Sequence, residues 1–129
     1  MTETPALDSP PEALVYACSG ASNLGQLANE IAIRLDRAGL AEMSCAEAVG
    51  IEAGPPYAAA LSGRPVVAIS GCPLACADRL LGEHGVEVTR SIQLENRGVV
   101  KDKHVSVAAE ESERIFNEVE GELGVALNR

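Results

Sequence analysis

Four residues in this chain are suited to chemistry by type: Cys18, Cys45, Cys72 and Cys76. The stretch "ISGCPLACADRLL", Ile69 to Leu81, sets the last two four residues apart, just where an apolar run gives way to a helical pattern. Thiolates select soft ions, so zinc, copper(I) and iron-sulfur clusters are the metals such residues would hold. The same groups exchange disulfides when no metal is present. Against both stands packing, since a cysteine taken singly behaves as a small buried hydrophobe. Position along the fold decides between these readings.

From Ala13 the chain alternates short β-prone runs with helical patterns, which predicts a βαβ architecture with a mostly parallel sheet. "LVYAC" (Leu14 to Cys18) reads as the first strand. A helix follows from Asn23, a good N-cap, through Leu24, Leu27, Ala28, Ile31 and Leu35 to Arg37, with Gly39 as its stop. "AEMSC" (Ala41 to Cys45) is a short second strand, and "PPYAAALSG" (Pro55 to Gly63) a short helix. "PVVAIS" (Pro65 to Ser70) is a continuous apolar strand of the kind covered on both faces, hence central. A helix ending near Gly85, a fourth strand over Val86 to Leu94 and a last helix over Ala108 to Leu123 complete the pattern, with Ile115, Val119 and Leu123 on one face. The expected fold is a single three-layer α/β domain, residues 13–129, with a small, mostly parallel four-stranded sheet. Residues 1–12 read as a flexible lead-in.

In a parallel sheet all carboxyl ends lie along one edge, where open α/β folds bind ligands. Cys18 ends the first strand, Cys45 ends the second and Cys72 follows the third, so the cysteines converge on that edge. In "GCPLAC", Gly71 permits a sharp turn and Pro73 suits a first helical position, which makes Cys72 the expected cap. Residues at i and i+4 of a helix hold their Cβ atoms about 5–6 Å apart, near enough for two thiolates to share one ion. A helix N-terminus also favours negative charge on a thiol.

At 129 residues there is room for one sizeable core, and 19 acidic against 10 basic residues give a formal charge of -9. A nucleic-acid backbone or an anionic membrane is therefore not an expected partner. The beginning, "MTETPALDSPPE", carries acids and three prolines instead of a basic end and apolar core, and no apolar run reaches membrane-spanning length. A cytoplasmic protein is expected, and in a reducing compartment four cysteines point to metal or reactive thiols before structural disulfides.

The residues "YACSGASNLGQLAN", "MSC" and "SGCPLACA" resemble the DGC domain family, proteins held to bind zinc and named for an Asp-Gly-Cys motif. The resemblance runs from about Val15 to the last helix. It implies that Cys18, Cys45, Cys72 and Cys76 correspond to the family's proposed metal ligands, and it implies no reaction. Ser70 stands where the family has its aspartate, so a carboxylate's role beside Cys72 falls to a hydroxyl or disappears.

Other residues have plainer readings. "CSGASNLG" resembles a phosphate cradle at a helix start, but it lacks both the Lys-Ser/Thr of a P-loop and an arginine to clamp phosphate. His84 falls near a helix C-terminus, where it meets the dipole. His104 lies in a polar loop from which it could approach the edge. The function expected is metal binding, zinc first because it takes four thiolates tetrahedrally with no redox demand, in a structural, delivery or sensing role. An iron-sulfur cluster or thiol redox chemistry on the same cysteines are the alternatives.

Overall fold

The protein, as a computed structural model, is described over residues 11–71 and 73–127. Its core strands form where apolar residues run without interruption. Leu14–Ala17 is β1 and Val66–Ser70 is β3, every residue of the latter buried. β2, Glu42–Met43, is only two residues long, and β4 is Arg90–Gln93. The strands pair in the order β2-β1-β3-β4, all parallel.

Side chains alternate between the two faces of this sheet, which makes two cores. Val15, Val67, Ile69 and Ile92 face α1 (Asn23–Arg37) and α5 (Ala109–Leu127), meeting Leu27, Ile31, Ile115 and Val119. Leu14, Tyr16, Val66 and Ala68 face α2 (Ala46–Gly50), α3 (Gly54–Ala60) and α4 (Cys76–Glu83), meeting Val49, Ala60, Ala77 and Leu81. The expected three-layer α/β domain with a four-stranded parallel sheet is the fold observed. No helix among the described residues is long and apolar enough to cross a membrane.

Local departures from the sequence reading each have a physical cause. The cap of α1 is Ser22, whose hydroxyl accepts from the Gly25 N–H at 3.1 Å. Asn23 is taken up elsewhere: its amide donates to the Val100 carbonyl at 2.8 Å and accepts from the Asp102 N–H at 2.8 Å. α2 was not expected, because five residues are too few to display a period. The lead-in expected over 1–12 falls on residues 1–10 outside the described residues, while Pro11 and Glu12 are held by their carbonyls to the Arg64 guanidinium at 3.0 and 2.8 Å.

Both sheet edges carry polar fittings. The Met43 N–H, turned away from β1, donates to the Asp36 carboxylate at 2.9 Å, which occupies a donor that would otherwise recruit another strand. Beyond β4, Arg97 lies in a charged network: its guanidinium grips Glu122 through two bonds of 2.7 and 3.1 Å and reaches Glu118 at 3.1 Å. The Arg97 bonds hold the Glu122 carboxyl below its ordinary value, and Glu122 raises the guanidinium in turn.

A carboxyl depressed in the folded state contributes stability that is complete above its unfolded value, about 4.5 here, and is lost as pH falls through the folded value. Arg97→Met is therefore expected to cost about 1 kcal/mol at pH 7, a modest figure because Glu122 keeps 33% of its side chain in solvent. The gap between variant and wild type should narrow as pH falls below the ordinary carboxylate value. Urea midpoints taken across pH would show it, and a gap that stays constant down to acid pH would assign the cost to packing of the arginine stem instead.

Candidate metal and thiol site

In this strand order the chain leaves β1 for β2 on one side and later returns to β3 on the other. The carboxyl ends of β1 and β3 thus flank the point where connections diverge, which is where open α/β sheets form their crevice. Cys18 follows β1 there, and its backbone N–H donates to the Ile69 carbonyl of β3 at 3.0 Å. The Gly71 N–H in turn donates to Cys18 Sγ at 3.2 Å. A backbone donor aimed at sulfur suits a cysteine carrying charge or a metal.

Three glycines bring these loops so close. A β-carbon on Gly71 would stand 2.4 Å from the Leu24 carbonyl oxygen, and one on Gly25 would stand 2.7 Å from the Gly20 nitrogen. The first turn of α1 therefore rests directly on the backbone of the loop after β3, a contact open only to residues without a side chain.

A cavity of about 280 Å³ opens beside this contact, lined by Cys18, Ser19 and Gly20 from one loop, Glu47 from α2, and Cys76 and Leu80 from α4. Cys18 is half-buried and Cys76 exposed. Cys76 is the first residue of α4, and Ala75 before it is left-handed, with φ 51° and no side-chain cap. This corrects the expected helix start: Pro73 and Leu74 form a turn, and α4 begins only at Cys76. Cys72 itself lies outside the described residues.

Cys45 opens onto a neighbouring cavity of about 490 Å³, with Ser44, Pro56 and Arg64. It caps α2 by its backbone, and its thiol reaches Glu47 Oε1 at 3.4 Å. Behind it the buried Tyr16 hydroxyl donates to the Pro56 carbonyl at 3.2 Å; burial pushes this phenol up, against the lowering effect of the Ser44 hydroxyl and the Arg64 charge. The structure thus places Cys18 and Cys76 together and Cys45 one cavity away, on the other side of the α2 start. Among the described residues, no three of cysteine, histidine, aspartate and glutamate are grouped to hold a metal ion.

The histidines lie outside this arrangement. His84 caps α4 at its C-terminal end, as expected, with Nδ1 2.8 Å from Glu52 Oε2. His104 is exposed, but the loop carrying it does come to the edge, since Lys103 bridges Ser22. The sequence reading missed Asp78, whose Oδ1 accepts from the Ser70 hydroxyl at 3.3 Å. A carboxylate is thus present beside Ser70 after all, from the first turn of α4. Gln93, the register partner of Ser70 on β4, carries a buried Oε1 with no hydrogen-bond partner among the described residues.

Residues 14–119 match the DGC domain. The chain belongs to the DGC domain family. Over 110 residues it is 47% identical to the anaerobic and virulence modulator AnvM of Pseudomonas aeruginosa, covering 85% of this chain and 84% of that one. No solved structure matches it. In this DGC domain protein the resemblance seen in "YACSGASNLGQLAN" and "SGCPLACA" falls on the two loops that close against each other, and "MSC" falls on the end of β2.

Proposed function

We propose that this protein binds one soft metal ion, zinc in preference, through cysteine thiolates at the carboxyl ends of β1 and β3. The observation that carries the reading is the pair of thiols, Cys18 and Cys76, on one cavity at the divergence of the sheet, with the Gly71 N–H aimed at Cys18 Sγ. The donor chemistry fits a soft ion. Cys72, next to Gly71 in sequence, is the third ligand in this reading, and Cys45 is the fourth, entering from its own cavity past the start of α2. Bound there, zinc would tie together chain segments far apart in sequence, or act as a Lewis acid if one position stayed open.

A relative named as a modulator favours a regulatory or sensing role over catalysis. A second reading, a dithiol that cycles with a disulfide, has its own support, because the two thiols Cys18 and Cys76 share one cavity. An iron-sulfur cluster on the same cysteines would differ in colour.

Protein purified without air and supplied with both zinc and iron is expected to carry one zinc per chain by native mass spectrometry, without a visible band. Its cysteines should alkylate slowly until a chelator is added. Metal-free protein whose four thiols label at once would overturn the metal reading in favour of the dithiol.

A further inference from the structure

We infer that Asp78 is a positioning residue for this cysteine site, acting through Ser70 to set where Cys76 stands; the inference rests on the reading of the site given above. Ser70 ends β3 and is 0% exposed, so its hydroxyl must find a partner inside the protein. It donates to Asp78 Oδ1 at 3.3 Å. Residues 70 and 78 bracket the segment that begins with Gly71, the donor to Cys18 Sγ, and ends with Cys76 and Ala77.

That segment needs a clamp. Ala75, immediately before Cys76, sits at φ 51°, a conformation L-residues adopt reluctantly, and α4 starts there without a side-chain cap. A left-handed residue persists where its surroundings hold it. Below it, Ala77 and Leu81 pack α4 on the sheet through apolar contact, which resists lifting but little resists rotation. The Ser70–Asp78 bond supplies direction: it links the last residue of β3 to the first turn of α4, and the carboxylate also meets the positive end of that helix. Cys76, two residues before Asp78 on the same turn, is thereby held over the cavity that Cys18 lines.

The test uses full-length protein loaded with zinc alone, and four variants: Asp78→Ala, Asp78→Asn, Ser70→Ala and the double alanine. Zinc affinity is measured by competition with a chromophoric chelator, and the melting of each metal-free protein is followed separately. Asp78→Ala and Ser70→Ala are each expected to weaken zinc binding about tenfold, the size of effect seen for groups that orient ligands. The double variant should lose no more than either single one, as two partners of one bond behave. Asp78→Asn still accepts from Ser70 and should hold zinc within about threefold of wild type, a rescue that a purely electrostatic role would not give.

A metal-free readout separates this inference from the metal reading. The yield of Cys18–Cys76 bridging by a short bifunctional thiol reagent, mapped by peptide mass, should fall several-fold in Asp78→Ala and recover in Asp78→Asn. If wild type binds no zinc yet the bridging follows this pattern, the metal reading fails and the positioning role stands. If Asp78→Ala binds zinc and bridges like wild type, or if the two single losses add in the double variant, the positioning role is wrong.

Discussion

Gly71→Ala is expected to pull apart the two loops that form the site and to lower stability by about 3 kcal/mol or more. The added β-carbon would stand 2.4 Å from the Leu24 carbonyl oxygen, 2.5 Å from its carbon and 2.8 Å from the Gly25 nitrogen. All three are backbone atoms in the first turn of α1, so no side chain can swing away to make room. Relief requires α1 to lift from the loop after β3, which would stretch the Gly71–Cys18 and Cys18–Ile69 bonds and loosen Leu24 and Leu27 from the core. Against a typical total of about 5–15 kcal/mol, that loss is a large fraction. A urea titration should show a much lower midpoint. Gly121→Ala is the control: it lies in α5 with nothing within 4 Å of the added carbon, and should gain about 0.5–1 kcal/mol from helix propensity. A Gly71→Ala protein with the wild-type midpoint would show that α1 does not rest on this backbone.

Zinc is expected to raise the melting temperature by about 15 °C when free metal exceeds the dissociation constant a thousandfold, since that ratio contributes about 4 kcal/mol to the folded state. The stabilisation arises because the ligands come from separate segments and the site does not exist in the unfolded chain. Cys18→Ser and Cys76→Ala should each abolish the rise, while melting near the metal-stripped wild type. Cys76 is exposed, so its truncation removes no core packing of its own. Cys45→Ala should forfeit less of the rise, because Cys45 opens onto the neighbouring cavity and would have to approach past Ala46 and Glu47. Calorimetry with and without zinc reads all of these at once. Cys76→Ala keeping the full rise would remove Cys76 from the ligands and leave the site at most three-coordinate.

Much of the fold was legible because it follows from patterns one element long. "PVVAIS" is apolar at every strand position, and only a strand covered on both faces tolerates that, so β3 had to be central. Leu24, Leu27, Ile31 and Leu35 repeat at helical spacing, and Ile115, Val119 and Leu123 do the same, so α1 and α5 and their buried faces followed directly. Parallel strands send their carboxyl ends to one edge, which made the placement of Cys18 and Cys45 on that edge readable without coordinates.

What escaped depended on contacts between distant residues. Pro73 suits a helix start by its own φ, yet α4 begins at Cys76, because apolar packing of Ala77 and Leu81 and the Ser70–Asp78 bond determine where the helix meets the sheet. Asn23 has the propensity of a cap, but the carbonyl and amide of residues 100 and 102 claim its side chain and leave the cap to Ser22. Cysteine order along the chain is a property of sequence. Which sulfur faces which cavity is set by α2, five residues whose orientation comes from burying Val49 against the sheet, and by the contact of Gly71, in the loop after β3, with Gly25 in the first turn of α1, 46 residues away, that no local propensity encodes.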